Sequence, residues 1–471
     1  MNIRKPVVAG KFYEADPAKL KKTVSSYLKP VPPAKETIYG LLAPHAGYSF
    51  SGPTAGTAFS HLKGLDYDTI VIISTGHTAH IKGAALMAEG FFETPLARVP
   101  IDAELAAALL KSSRIFENLP GAHEQEHAIE VELPFLQVLK GDAFKIVPVA
   151  VNTPDLKILT EAGRFIGAAL KGKKALICVS SDLSHYPPGN IAEKSDRSLL
   201  LAFRTAVNNK DLAHFDLAAR LLLEKAGACM DTPACGQAAM TAGAAACLEL
   251  GADDFKLLEY THSGQVSGDL SGVVGYAGGL FVRSGAQGGP ALSEDLKMEL
   301  LKNARISIES HLKNKKPLEL PLNGYIELNQ PAAVFVTLTE AGRLRGCIGT
   351  MEARSMLADA VTQFAVSSAF GDPRFKPLSP DELPKIKIEI SVLSPLRKVE
   401  SYKDIVEKKH GVYVQKGRSS GTYLPQVWKH FSSRDEFLTS LCLEKAGLDP
   451  GAWKEKSTAL FVYTVDSFEE K

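Results

Sequence analysis

The chain has almost no net charge: 54 basic side chains meet 53 acidic ones, a formal +1 over 471 residues. So even a balance gives no electrostatic footing for nucleic acid or an anionic membrane. Cysteine is sparse and unpatterned. Cys178, Cys229, Cys235, Cys247, Cys347 and Cys442 follow no framework spacing, so reduced thiols in a cytoplasmic protein are expected. The first residues, Met1 to Tyr13, have no long apolar run, so no signal peptide is expected. The longest weakly apolar stretch, 226–250, is interrupted by Asp231, Pro233, Gln237 and Glu249 and is not expected to cross a bilayer. Also missing are a phosphate-binding lysine loop and a G-x-S-x-G nucleophile turn. The Gly-rich run 272–279 leads into strand-like Leu280-Phe-Val282, not a helix, and so lacks a phosphate-binding context.

What is present is ordinary globular material, 45% hydrophobic and 23% charged, in a chain long enough for two or three domains. Residues 283–290 are small and polar with no apolar period, the best linker in the chain. A new helix follows: Ser293 suits an N-cap, Glu294 and Asp295 the first turn, and Leu296, Leu300, Leu301 and Ile308 one apolar face. The expected division is a first domain at 1–285, a linker at 286–292 and a second domain at 293–471.

In the first domain, strand-like runs alternate with helical segments near 17–28, 102–111, 129–139, 160–170, 192–208 and 216–225. That alternation predicts an α/β fold, a mainly parallel sheet with helices on both faces. Residues 256–261 and 272–282 read as a late antiparallel pair. The second domain mixes a long first helix, strands near 333–338, 386–393 and 411–415, and helices near 355–370 and 433–446. It reads as a smaller α+β domain.

Three apolar runs of the first domain end close to a histidine. The run 38–42 leads to His45, 69–73 to His77, and 174–179 to Asp182 and His185. Parallel strands would bring these groups to one rim, at the carboxyl ends where open α/β sheets bind ligands. Cys235 precedes an Ala-rich helix at 238–250, where the dipole is expected to lower its pKa and favour a thiolate. Two histidines and one anionic ligand leave coordination positions open, as non-heme iron and catalytic zinc sites require. Asp182 and His185 would then be neighbouring acid–base groups. Taken singly, each histidine is better explained as a hydrogen-bonded turn residue; their coincidence at strand ends argues for a shared site.

His123-Glu-Gln-Glu-His127 competes, because it fits the H-E-x-x-H pattern of zinc proteases. Pro120-Gly121 leaves little helix ahead of His123, and no further histidine motif follows, so a zinc protease is the weaker alternative. Glu126 and His127 remain candidates for lining the rim and contacting substrate.

These residues also carry a resemblance. Arg4-Lys-Pro-Val-Val-Ala-Gly-Lys-Phe-Tyr13, Ala43-Pro-His-Ala-Gly-Tyr-Ser-Phe-Ser-Gly52, Glu93-Thr-Pro-Leu96, the run from Glu126 to Phe135, Ser180-Ser-Asp-Leu-Ser-His-Tyr186 and Ala234-Cys-Gly236 are similar to the Memo family, over about 1–283. That family resembles the LigB-type class III extradiol dioxygenases in fold. The resemblance implies metal ligands at His45, His77 and Cys235, with Asp182 and His185 beside them. A thiolate in place of a carboxylate favours iron(II), with copper or zinc as other fitting ions, and need not preserve ring cleavage. The implied function is oxidation of a small organic substrate; a metal-free or vestigial binding module is the alternative.

The second domain resembles the AMMECR1 family through Leu344-Arg-Gly-Cys-Ile-Gly-Thr350, Phe370-Gly-Asp-Pro-Arg-Phe375 and Gly421-Thr-Tyr-Leu-Pro-Gln-Val427, over about 293–466. The pairing of the two families implies association with a radical SAM protein. The chain has no C-x₃-C-x₂-C cluster motif, so that partner is expected to be separate. Arg343, Arg345 and Cys347 alternate along one strand-like stretch and are expected to share a face. Guanidinium groups beside a thiol would make Cys347 a candidate nucleophile, against the plain alternative of a small buried cysteine. Arg345 and Arg374 are candidate substrate contacts.

Overall fold

The computed structural model describes residues 2–32, 35–284, 292–315, 318 and 320–470. The chain divides into two compact units, Met1–Gly289 and Pro290–Lys471. Apart from Leu292, the segment expected as a linker lies outside the described residues.

The first unit is built on one large sheet. Its strands are β1 (Thr37–Ala43), β2 (Thr69–Thr75), β3 (Ala84–Leu86), β4 (Phe116–Asn118), β5 (Lys145–Val151), β6 (Ala175–Ser180), β7 (Asp254–His262) and β8 (Gly275–Arg283). The order across the sheet is β7-β8-β1-β6-β2-β5-β3-β4. The centre is parallel: β6 pairs with β1 and β2, and β2 with β5. β7 and β8 form the expected late antiparallel pair, and β8 joins them to β1. β3 runs antiparallel to β5. Every residue of β2 is buried, which is why it reads as an unbroken apolar run: both faces are covered. On one face the helices Leu156–Leu170 and Gln237–Leu250 pack together. Asp155 caps the first of them by accepting from the backbone N–H of Lys157 and Ile158. Because β1, β2 and β6 are parallel neighbours, their carboxyl ends share one rim.

The helix expected at 129–139 is shorter than its apolar stripe. A 3₁₀ turn at Glu130–Glu132 comes first, and the α-helix is Leu133–Lys140 with Pro134 in its first turn. Among the described residues, no helix is long and apolar enough to cross a membrane.

The second unit is α+β. Strands Arg343–Gly349, Pro331–Glu340, Ile386–Leu393 and Val465–Glu469 lie side by side in that order, all antiparallel. Helices Glu294–Asn314 and Leu357–Phe370 supply the apolar cover, through Leu296, Leu300, Ile308, Val361 and Ala365. Ser293 caps the first helix, its side chain accepting from Leu296 N–H. A second, four-stranded sheet pairs Arg397–Val399, Ala459–Tyr463, Gly411–Lys416 and Ser419–Tyr423 over Trp428, Phe437 and Trp453.

Candidate metal centre

Pairing of β1 with β6 sets the first ligand position. Beyond the strands the contact continues, with Ser181 N–H donating to Ala43 O at 3.0 Å. The backbone N–H of His45 then donates to Asp182 Oδ1 at 2.8 Å. His45 is only 1% exposed. Its Nδ1 lies 2.9 Å from Ser180 Oγ, and its Nε2 lies 3.2 Å from Cys235 Sγ. Burial, then the neighbouring His77, pushes the His45 pKa down to about 3, so the ring is neutral.

His77 follows β2 and is held by Glu126. Its backbone N–H donates to Glu126 Oε2 at 2.5 Å, and its Nδ1 lies 3.0 Å from Glu126 Oε1. Burial alone would raise the Glu126 pKa. The bond and charge of His77, with the backbone N–H of Ala128 and His77, overcome that and bring it down to about 2. His127 stacks on His77 at 5.1 Å between ring centroids and 13° between planes. It also meets His45 edge-on at 5.6 Å and Phe12 at 5.0 Å. Burial and then His45 push the His127 pKa down to about 4.

Cys235 reaches the rim because the next residue is glycine. Gly236 N–H donates to Ser181 Oγ at 3.0 Å, and a Cβ at 236 would lie 2.6 Å from Ser181 Cβ. The expected thiolate-favouring dipole is outweighed: burial, then the charge of Asp182, pushes the Cys235 thiol up. Without a cation beside it the sulfur keeps its proton. Asp182, also buried, is pushed up by desolvation, against the backbone bonds from His45 and Ala46. His185 bridges to Thr232 and Val274 across the same rim. Burial lowers its pKa, and its buried Nε2 has no hydrogen-bond partner among the described residues. Tyr186 next to it is 59% exposed and takes φ +67°, an uncommon conformation for a non-glycine residue.

Among the described residues, ligand atoms within 4.8 Å of one another form two triads, His45–His77–His127 and His45–Asp182–Cys235. His45 belongs to both, and the set His45, His77 and Cys235 spans them. Neutral His45 and His127, with the His77 ring, a thiol and a carboxyl converging here, suit a borderline divalent cation. The orphaned His185 Nε2 beside them fits the same conclusion.

The His123–His127 pattern does not form a protease helix. Helix Gly121–Glu124 ends one residue past His123, and residues 125–128 are not helical. His123 is buried, with Nε2 3.1 Å from Ala85 O, and Glu124 is exposed. His127 instead joins the histidine stack. Ser180 and Glu132 escaped the sequence reading: Ser180 Oγ donates to Glu132 Oε1 at 2.6 Å directly behind His45. A signal existed, since Glu132 falls three residues after Ile129, on the apolar stripe.

In the second unit, Arg343, Arg345 and Cys347 do not share a face. Leu338 opposes Gly346 while Thr339 opposes Leu344, so Arg345 is the extra residue of a bulge. Cys347 opposes Thr337 and Arg343 opposes Glu340, on the other side of the sheet. Arg345 turns to Glu382, with Nε 2.7 Å from Oε1. The half-buried Cys347 accepts from Thr337 Oγ1 at 3.2 Å, and its N–H donates to Asp372 Oδ2 at 2.9 Å. Arg374 pairs with Asp372 at 2.7 Å and donates to Cys347 O at 3.2 Å.

A doubly covered α/β sheet with a histidine–cysteine rim, followed by an α+β unit, defines a two-domain class of protein. Residues 4–280 match the Memo-like protein family, and the chain belongs to it. Residues 301–468 match the AMMECR1 family, so the two domains occur in that order. A MEMO1 family protein of Methanopyrus kandleri is 35% identical over 292 residues, covering 59% of this chain and 99% of the relative. One of Methanothermobacter thermautotrophicus is 37% identical over 287 residues, covering 58% of this chain and 99% of the relative. Among solved structures, an uncharacterized protein from Pyrococcus horikoshii is 36% identical, covering 37% of this chain and 90% of that one, with a TM-score of 0.34.

Proposed function

We propose that the first unit holds one divalent metal, iron(II) foremost, through His45, His77 and Cys235, and oxidises a small organic substrate. Copper and zinc are the other ions this donor set accepts. The observation that carries the reading is the meeting of neutral, buried His45 with Cys235 Sγ on one side and His77 on the other. When bound, the metal supplies a Lewis-acidic and redox-active centre at the rim.

The chain's own groups do the rest. Glu126 holds His77 in place through both its backbone and its ring. Asp182 clamps the His45 backbone and lies beside the Cys235 sulfur, whose proton leaves on metal binding. His185 takes and returns a proton at its unpartnered Nε2. Part-exposed His127 borders the space a substrate would enter, with buried Glu126 behind it. The AMMECR1 unit binds a substrate or partner, or performs a second step with Cys347, and a separate radical SAM protein works with the fused chain. Arg345 and Arg374 are already paired with Glu382 and Asp372, so they position the Cys347 strand before they meet any ligand.

Anaerobic loading with iron(II), followed by metal analysis, tests this. Wild type retains close to one equivalent, His45→Ala and Cys235→Ala lose it, and His127→Ala keeps it. Equal iron in all the variants overturns the assignment. No retained iron, copper or zinc and no dioxygen uptake in wild type would instead favour a metal-free binding module.

A further inference from the structure

We propose that Ser180 and Glu132 are positioning residues that fix His45 as its Nδ1–H tautomer and leave the Nε2 lone pair for the metal. The inference rests on the metal reading above and extends it to groups behind the ligands.

Ser180 closes β6 and is fully buried, as is Glu132. Three polar atoms surround its hydroxyl: His45 Nδ1 at 2.9 Å, Ala128 O at 2.9 Å and Glu132 Oε1 at 2.6 Å. A hydroxyl offers one proton and two lone pairs. If Glu132 is ionised, both it and Ala128 O only accept. The single proton satisfies one of them, and the imidazole has to donate to Oγ. If Glu132 carries a proton, it donates to Oγ, the hydroxyl turns to Ala128 O, and the imidazole again donates. Both states place the hydrogen on Nδ1. The other nitrogen, Nε2, then turns its lone pair to the Cys235 thiol at 3.2 Å, at the vertex shared by both triads, and is open to a metal once the thiol proton leaves.

Glu132 is expensive where it stands. Its Oε2 is buried with no hydrogen-bond partner among the described residues, so its visible polar contact is with Ser180. Leucine would pack at this position of the apolar stripe. A carboxyl there makes sense as the back end of a relay that orients a ligand ring.

The test uses the metal-free full chain labelled with ¹⁵N in histidine, and two-bond ¹H–¹⁵N correlation to read which ring nitrogen of His45 is protonated. Wild type is expected to show Nδ1–H. Ser180→Ala is expected to admit the Nε2–H form and weaken cobalt(II) binding by about 10- to 100-fold, measured by competition with a chromophoric chelator. Glu132→Gln, which keeps a hydrogen bond to Ser180, should retain the wild-type tautomer. An Nε2–H ring in wild type overturns the proposal without any variant having to fold. A Ser180→Ala chain with unchanged tautomer and unchanged cobalt affinity overturns it too, while leaving the metal reading intact. Conversely, a tautomer lost in Ser180→Ala with no cobalt bound by either chain supports the relay and contradicts the metal reading.

Discussion

The rim of the first unit and the Cys347 face of the second both gather ionisable side chains, and they treat charge in opposite ways. At His45, His127 and Cys235 of the rim, burial suppresses charge: the two imidazoles are pushed down to about 3 and about 4 and stand neutral, and the thiol is pushed up, while Glu126 behind His77 keeps its charge. On the Cys347 face, charges are kept and paired, Arg345 with Glu382 and Arg374 with Asp372. Suppressed charge leaves neutral imidazole and thiol donors that a cation can take up once the thiol proton leaves. Paired charge is already satisfied. The first arrangement invites a metal; the second stiffens a strand around a thiol.

The contrast is sharpest where the first unit does keep a buried ion pair. Glu130 is fully buried, contacts Arg4 and Tyr13, and accepts from the N–H of Val7 at 2.8 Å and of Val8 at 3.2 Å. Glu130→Ala strands Arg4 and is expected to cost about 3–5 kcal/mol in urea unfolding of the first unit. The partly exposed Arg345–Glu382 pair is worth less: Arg345→Ala should cost the second unit about 1–2 kcal/mol. Equal losses would erase the distinction.

Acid and base should separate the units as well. Glu382, held by the Arg345 bond and two bonds from Ser379, is brought from 4.5 down to about 2. Its folded pKa is depressed, so its contribution is present above about 4.5 and is lost as pH falls toward about 2. Buried Asp196, which accepts from Ser184 N–H and Tyr260 O–H, is raised by desolvation from 3.8 to about 7. There the sign reverses: the contribution is present below 3.8 and lost as pH rises through about 7. The thermal midpoint of wild type should therefore fall relative to Asp196→Asn as pH climbs through that window, by about 2–4 °C for each kcal/mol lost. A difference that does not change with pH would place an ionised carboxylate at 196 and contradict the burial argument.

Much of this was legible in the residues. Apolar runs at 38–42, 69–73 and 174–179 read as parallel strands, and their ends brought His45, His77 and His185 to one rim. The Gly-rich pair near 256–282 and the Ser293 cap were equally readable. What was not legible depends on neighbours far apart in sequence. Glu126 grips His77 from 49 positions away, and Glu132 reaches Ser180 across 48. Local pattern misled in two places: a bulge at Arg345 turns Arg343 to the other face, and the dipole argument for Cys235 left out the desolvation that raises that thiol. Pro120-Gly121 already told against an H-E-x-x-H helix, and the helix there ends at Glu124.

The central claim, a metal centre in the first unit with Cys235 as its sulfur ligand, is tested most directly by the absorption spectrum of the cobalt(II)-loaded full chain. Wild type and Cys347→Ser should both show an intense near-ultraviolet thiolate-to-cobalt charge-transfer band, and Cys235→Ser should lack it. A band that survives Cys235→Ser and disappears in Cys347→Ser would contradict the account.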